Sequence, residues 1–411
     1  MKIPALCGAM ILASIPVSVA AQPVTYSQAV RSAVEEQPRT QARALDVEAR
    51  QELVDAADEW PDPVARAGVM NFPVTGPNAF EPSEVMMTMV QVGVEQRIPN
   101  GAKLSASREI ARSDVRVAEA RLSQTRREIA VEAGTAWVGL DFAQQRLALL
   151  EEVRPEIERL VPVARSAVTS GAARPAESLE VRRALLKLAD VQTSIESERE
   201  EAQARLARYV DMSDPEAVGE RPDSLVDTGR LDASLAAHPD LIAEDAVIER
   251  ARSWLRLAEA EKRPDFAVNV SYGRRDPQFG DVASVIGSIT LPVFQSRRQE
   301  PRIAAATLEE QARLAERLDV ERRLAAEFEA DLAAWRSALV QWNRAREELL
   351  PLARDRVDLE LASYTAGRAD LIDVIEAKTA LALLELEILE RHRAAVIAAV
   401  GLRLAYGEAV Q

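Results

Sequence analysis

The feature that most constrains this fold is an internal duplication. The segment Glu151–Pro155 recurs as Glu347–Pro351, 196 residues later, and Ser170–Ala172 recurs at the same distance as Ala366–Arg368. Proline-containing landmarks recur at similar distances, among them Gln37-Pro38 as His238-Pro239, 201 residues later. A repeat this long, with small slips in spacing, predicts two copies of one structural unit rather than a short solenoid repeat.

The chain divides into four predicted segments. Residues 1–21 resemble a secretory signal peptide, because Lys2 precedes an uncharged, mostly apolar stretch that ends in small residues. The two copies occupy 22–210 and 231–411. The linker between them, 211–230, is rich in proline, glycine and acidic residues. Export from the cytoplasm is therefore expected.

Composition excludes several classes of function. The formal net charge is −15, which disfavours charge-driven binding to nucleic acid. The single cysteine, Cys7, lies in the predicted signal peptide, so no disulfide is expected. His238 and His392 are far apart and have no metal-ligand spacing. We expect no enzyme activity, catalytic residue, bound metal or cofactor.

A helix followed by two strands is predicted at the start of each copy. Ser27 is the expected N-cap of the first helix, which runs to about Glu59, and Asp232 is that of the second, which runs to about Lys262. The strand segments alternate with a period of two. In the second copy, for example, the residues on one face are Phe266, Val268, Val270 and Tyr272.

Strands are also the predicted membrane-crossing elements. After residue 21 the longest run without a charge is Val282–Ser296, which is shorter than the about 20 residues of a spanning helix. The strand segments have the length of tilted membrane strands, and five phenylalanines lie near their ends. The alternative explanation for these phenylalanines is the general preference of aromatic residues for strands.

Beyond the strands, apolar residues step by alternating fours and threes, which predicts coiled coil. The second copy has Phe328, Leu332, Trp335, Leu339 and Trp342 in this spacing. A helix from about Arg302 to Ala366, bent near Pro351, would be roughly 100 Å long at 1.5 Å per residue. Gly171 and Gly367 are expected to turn the chain into returning helices.

Four membrane strands cannot close a barrel, since the smallest barrels have about eight. An open edge in lipid would leave backbone groups unpaired. The chain therefore requires other subunits, and three copies would supply twelve strands. The residues alone do not distinguish twelve strands from eight or sixteen.

Taken together, these motifs resemble the TolC-like outer-membrane efflux factor family over nearly the whole mature chain. The motifs are Gln37-Pro38, His238-Pro239, Pro61-Asp62-Pro63, Ile98–Gly101, Leu291–Phe294, Ala366-Gly367 and Asp373–Ala377. The resemblance implies a homotrimeric 12-stranded barrel in the outer membrane of a Gram-negative bacterium, above an α-helical periplasmic tunnel. It also implies docking to a periplasmic adaptor and an inner-membrane resistance-nodulation-division (RND) pump.

The resemblance suggests a gate at the periplasmic end of the tunnel. Asp373 and Glu376 lie three residues apart, on one helix face, soon after Gly367. In the family, acidic residues here form rings that narrow the tunnel. The alternative interpretation is an ordinary solvated helix face. The first copy has Glu177 and Glu180 at the same offsets, but no aspartate.

The two hairpin turns are the expected adaptor-contacting tips. They contain Gly171 and Arg174 in the first copy and Gly367 and Arg368 in the second. Loops on rigid scaffolds often carry recognition. The glycines would also serve as ordinary helix C-caps, and both roles are compatible.

The predicted function is that of a passive exit duct in a tripartite RND-type efflux system. Trp60–Pro63 and the Gly-Pro loop after Asn71 resemble the heavy-metal branch of cobalt-zinc-cadmium pumps, which suggests metal cations as substrates. Two alternatives remain open: an outer-membrane duct for type I polypeptide secretion, and a periplasmic coiled-coil adaptor.

Overall fold

A computed structural model describes residues 22–170 and 174–407. The predicted signal peptide and the predicted tip residue Gly171 lie outside these ranges.

The first copy contains eight elements. They are β1 (Gln22–Val24), α1 (Tyr26–Glu36), α2 (Pro38–Ala56), β2 (Val64–Met70), β3 (Met89–Ile98), α3 (Gly101–Glu158), α4 (Leu160–Thr169) and α5 (Pro175–Val210). The order of helices, strand pair and long helical hairpin confirms the prediction.

The second copy repeats this order. β4 (Pro215–Ala217) lies in the predicted linker, and α6 (Thr228–Ser234) begins there. The following elements are a 3₁₀ turn (Leu235–Ala237), α7 (Pro239–Ala260), β5 (Asp265–Arg274), β6 (Val282–Thr290), α8 (Gln295–Arg344), a π turn (Ala345–Leu349), α9 (Leu350–Thr365) and α10 (Leu371–Tyr406). The predicted bend near Pro351 falls at the junction of the π turn and α9.

The predicted start and continuity of the first helix are wrong. The N-cap is Thr25, not Ser27: its hydroxyl accepts a hydrogen bond from the Gln28 backbone N–H, and the Gln28 side chain accepts one from the Thr25 N–H. The helix breaks at Gln37, which is extended, because a residue before proline disfavours the α conformation. The second segment, α2, ends at Ala56.

The same correction applies to the second copy. Asp227, not Asp232, caps α6 by accepting hydrogen bonds from the N–H groups of Gly229 and Arg230. His238 is extended before Pro239 and interrupts the predicted single helix. Two landmarks of the duplication are therefore helix breaks.

The four long strands form one antiparallel sheet in the order β2-β3-β5-β6. The two copies meet at its centre, where Val94 of β3 pairs with Val270 of β5. Strands β2 and β6 are the sheet's edges. A separate parallel pair joins β1 to β4, so the start of the first copy is tied to the start of the linker.

The helices pack through the predicted heptad positions. Phe328, Leu332 and Trp335 are buried against α10 residues that include Leu402 and Tyr406. Two tryptophans at corresponding positions of the copies hold backbone segments that are distant in sequence. The Trp137 indole N–H donates to the Val24 carbonyl at 2.9 Å, and the Trp335 indole N–H donates to the Ser224 carbonyl at 2.8 Å.

None of the described helices combines the length and apolarity needed to cross a membrane.

Candidate functional site: channel wall and hairpin tips

One face of the four-stranded sheet is mostly apolar and exposed in the single chain. Val270 is 52% exposed and Val285, its partner on β6, is 73% exposed. Other exposed members of this face are Val69, Val90, Val92, Val94, Phe266, Val268, Tyr272 and Ile289. A continuous apolar face of this size is unusual on a protein surrounded by water, and it indicates contact with lipid or other subunits.

The opposite face is mostly polar. Arg66 of β2 forms an ion pair with Glu95 of β3, at 2.7 Å between Nη2 and Oε2. Gln91 donates a hydrogen bond to the Ser271 hydroxyl at 2.7 Å. This division into two faces is that of a membrane-barrel wall, with apolar residues toward lipid and polar residues toward the lumen.

Arg174, at the start of the returning helix of the first hairpin, lies beside the tip of the second hairpin. Arg174, before α5, forms an ion pair with Asp370, the N-cap of α10, at 3.1 Å. Gly367 adopts the left-handed conformation with φ +69°. The Arg368 N–H donates to the Ser363 carbonyl and the Gly367 N–H to that of Tyr364, which is a Schellman motif. The expected C-cap role of Gly367 is thus present, and Arg368 is exposed.

Asp373 and Glu376 occupy the first turns of α10 but have different surroundings. The Asp373 carboxylate accepts a hydrogen bond from the Asp370 backbone N–H at 3.1 Å, so it helps to cap the helix. Glu376 is exposed and lines a groove between α5 and α10 with Arg183, Lys187 and Glu180, and Arg183 forms an ion pair with Glu180 at 3.4 Å. The proximity of these first-copy cations to the second-copy acid could not be read from either segment alone.

Nearer the middle of the helices, His392 joins several elements. Its ring stacks on Trp342 with a centroid distance of 4.0 Å and meets the edge of Phe142 at 5.1 Å. The guanidinium groups of Arg221 and Arg346 lie over Phe142 and Trp342, respectively. Burial, reinforced by these two cations, lowers the pKa of His392 to about 4. The ring is therefore neutral at neutral pH.

His238 has a structural role. Its Nε2–H donates to the Ala405 carbonyl at 3.0 Å, while Nδ1 accepts from the Asp240 N–H at 3.2 Å and so caps α7. Burial lowers the pKa of His238, although Asp240 acts in the opposite direction. Among residues 22–170 and 174–407, no three His, Cys, Asp or Glu side chains form a group that could hold a metal ion.

A duplicated chain with a two-faced strand quartet above long helical hairpins is the architecture of an outer-membrane channel with a periplasmic tunnel. The family model for outer membrane efflux proteins matches residues 29–210 and 231–408. The chain therefore belongs to the outer membrane efflux protein family, the TolC-like channels. No curated protein matches it.

Solved structures share this fold at low sequence identity. A membrane protein from Pseudomonas aeruginosa is 18% identical, with a TM-score of 0.79, over 93% of this chain and 90% of that one. CusC is 14% identical, with a TM-score of 0.78, over 93% and 92%. The open-state MtrE channel of Neisseria gonorrhoeae is 16% identical, with a TM-score of 0.73, over 93% and 89%.

The family membership and the fold define an outer-membrane efflux channel with a periplasmic helical tunnel, not an enzyme. The predicted fold class, the channel class and the outer-membrane location are thereby confirmed.

Proposed function

We propose that this protein is the exit duct of a tripartite RND-type efflux system. In this role it conducts substrates passively from the periplasm to the exterior, while an inner-membrane pump supplies the energy. The observation that carries the proposal is the sheet of strands β2, β3, β5 and β6, with one apolar face, one polar face and two edge strands.

The unpaired edges require more than one subunit. Strands β2 and β6 each have one free edge in the single chain, and exposed backbone groups in hydrocarbon cost several kcal/mol each. Pairing β6 of one subunit with β2 of the next would satisfy both edges. A homotrimer closes twelve strands into one barrel, and its apolar faces then meet outer-membrane lipid.

The periplasmic end of the duct is the proposed gate and docking site. Asp373 and Glu376 of three subunits would place six carboxylates around one axis, where they repel one another and attract cations. The hairpin tips, with Arg174, Gly367 and Arg368 exposed nearby, would contact a periplasmic adaptor. Adaptor contact would separate the second-copy hairpin from its neighbours and open the tunnel.

Heavy-metal cations are the proposed substrates. The basis is the resemblance of Trp60–Pro63 and the loop after Asn71 to the heavy-metal branch. An exit duct has little selectivity of its own when its wall is polar and water-filled, so the pump would select the substrate.

Two measurements on detergent-purified protein test the duct itself. We expect a trimer by light scattering, and discrete conducting steps when the protein is added to planar lipid bilayers. A detergent-free soluble monomer without pore activity would exclude the proposal and favour a periplasmic adaptor. For the substrate, deletion of the gene should increase sensitivity to zinc, cadmium, cobalt, copper or silver salts; loss of a secreted polypeptide instead would favour the type I secretion role.

A further inference from the structure

The methionines of this chain are concentrated at one end of the sheet. The sequence contains seven methionines, two of which lie within residues 1–21. Of the other five, only Met212 lies elsewhere, and it packs against a helical core cluster. The remaining four surround the β2–β3 connection: Met70, Met86, Met87 and Met89.

Backbone pairing joins Met70 to Met89, a hydrogen bond ties the Met87 backbone to the end of β2, and Met86 precedes Met87 in the chain. Met70, the last residue of β2, is the direct cross-strand partner of Met89, the first residue of β3. Asn71, in the left-handed conformation with φ +53°, donates a side-chain hydrogen bond to the Met87 carbonyl at 3.1 Å. The buried Thr88 hydroxyl donates to the Asn71 carbonyl at 2.8 Å. The turn that presents Met86 and Met87 is therefore tied to the end of the Met70–Met89 pair.

Met70 and Met89 lie on the polar face of the sheet. They continue the row of Arg66 and Gly68 on β2 and of Gln91 on β3, opposite the apolar face. The Met89 sulfur lies over Gly273 of β5, the cross-strand partner of Gln91, and only a glycine leaves room for it there: a Cβ on Gly273 would lie 2.5 Å from that sulfur. Lipid contact does not explain thioethers on the face toward the lumen.

The other two thioethers are open to solvent. Met86 is 54% exposed and Met87 is 55% exposed. The β2–β3 connection lies at the end of the sheet away from the helices, since β2 follows α2 and β3 leads into α3. In an outer-membrane channel this end is the external mouth.

We propose that Met70, Met86, Met87 and Met89 form a binding site for a soft monovalent cation, Cu(I) or Ag(I), at the outer mouth of the channel. The proposal rests on the exit-duct function above. Thioether sulfur is a neutral, polarizable ligand that prefers soft cations over Zn²⁺, Mg²⁺ or Ca²⁺. Because a thioether does not titrate, binding at this site would persist in acidic surroundings. A trimer would place three such sites around the mouth, where an exported cation leaves the lumen.

Silver nitrate in chloride-free buffer is the probe, and the trimer is purified in its mature form, without residues 1–21 and therefore without Cys7, the single cysteine. The protein is incubated at a fixed concentration of free Ag⁺ and desalted, and the bound silver is then measured by mass spectrometry. X-ray absorption measures whether sulfur ligates the silver. We expect the quadruple variant M70L/M86L/M87L/M89L to retain at least tenfold less silver than its parent. Leucine conserves the apolar volume, so a purely packing role would survive this change.

Met212→Leu is the matched control and should retain silver like the parent, while Zn²⁺ should be retained equally weakly by the parent and the quadruple variant. The double variants M70L/M89L and M86L/M87L divide the site between its strand and turn halves. Equal silver retention by the parent and the quadruple variant would overturn the proposal, as would a parent that retains none. The conductance of the parent is recorded on the same preparation. If the parent forms no pores, the exit-duct function is contradicted. The silver measurement tests the methionine site alone.

Discussion

Arg174 and Asp370 occupy equivalent positions in the two copies, 196 residues apart, and form an ion pair with 3.1 Å between Nη2 and Oδ2. Identical residues at these positions would place like charges side by side. Divergence between the copies has instead made their hairpin tips complementary. The pair therefore bridges the two hairpins at the end where we propose the gate.

Neutralising this pair should favour the open channel. Asp370→Asn removes the charge while keeping a good N-cap residue for α10. Both side chains are largely exposed, so the expected loss is about 0.2–1 kcal/mol, and the open probability should rise by a factor of roughly 1.5–5 at low salt. Single-channel recording measures this.

The double variant R174Q/D370N supplies the control for coupling. If the two side chains act through each other, it should open no more than either single variant, and all differences should shrink in high salt. Fully additive effects that do not depend on salt would show that the ion pair does not hold the tips together.

Removing the acidic charges of the proposed gate should loosen it. Asp373→Asn retains an oxygen that can accept the Asp370 N–H, and Glu376→Gln keeps the shape of the side chain. We expect either higher single-channel conductance or greater sensitivity of cells to vancomycin. Asp358→Asn, at an exposed carboxylate of α9, is the matched control. If neither measurement changes in D373N/E376Q, these residues belong to an ordinary solvated helix face.

The pKa of His392 predicts a specific acid sensitivity. The folded protein holds this pKa at about 4, below the unfolded value of 6.5, so folding favours the neutral ring. The stabilisation is fully present above pH 6.5 and is lost as the pH falls toward 4. Because the ring is partly accessible to solvent, we expect a contribution on the order of 1 kcal/mol rather than the full value of the shift.

His392→Phe isolates this contribution, since phenylalanine can stack on Trp342 but does not titrate. The difference in melting temperature between H392F and the wild type should move in favour of H392F as the pH falls from 7 to 4. Acid effects of His238 are common to both proteins and cancel. A difference that is constant across this range would contradict the expected coupling.

Trp137 and Trp335 should contribute similarly to the free energy of unfolding, because each indole N–H donates a hydrogen bond to a backbone carbonyl far away in sequence. In Trp335→Phe the carbonyl of the buried Ser224 loses its donor, which should cost about 1–3 kcal/mol. Chemical denaturation measures this loss, and faster proteolysis within residues 211–230 would locate it. Trp254→Phe, at a side chain that is exposed in the single chain, should have little effect. Equal stability of W335F and W254F would contradict this assignment.

Much of the fold could be predicted from periodicity. The alternation of residues with a period of two predicts β5 and β6, and the heptad spacing predicts the packing of Phe328, Leu332 and Trp335. The expectation of unbroken helices is wrong at Gln37 and His238, each of which precedes a proline that disfavours the α conformation.

The candidate site was less predictable. The gate role of Asp373 and Glu376 is expected from the family resemblance, and their spacing predicts only that they share one helix face. The surroundings of Glu376 come from another segment, whereas the Asp373 carboxylate accepts from Asp370 in its own. Glu376 lines the same groove as Arg183 and Lys187 because α5 and α10 pack against each other. Nothing in a local pattern specifies how two hairpins dock. The equivalence of Arg174 and Asp370 under the 196-residue shift was the one sequence signal that could have suggested their pairing.

The two faces of the sheet give the sharpest test of the channel wall. Val270 lies on the apolar face, and Asn269, its neighbour in β5, lies on the polar face. A lysine on the lipid side of a membrane barrel costs about 2–4 kcal/mol near the midplane, whereas the lumen side tolerates it. Val270→Lys should therefore reduce the yield of assembled trimer in the outer membrane, and Asn269→Lys should not.

Because the two substitutions introduce the same charge at adjacent positions of one strand, effects on translation and export are shared. Only the face differs. In bilayers, Asn269→Lys should still form pores and should shift their selectivity toward anions, since each subunit adds one positive charge to the lumen. The opposite result, in which V270K assembles normally and N269K does not, would contradict the assignment, because it would mean that the polar face meets lipid. Contact with lipid is energetically unfavourable for that face, since it carries hydrogen-bonding side chains such as Gln91 and Ser271.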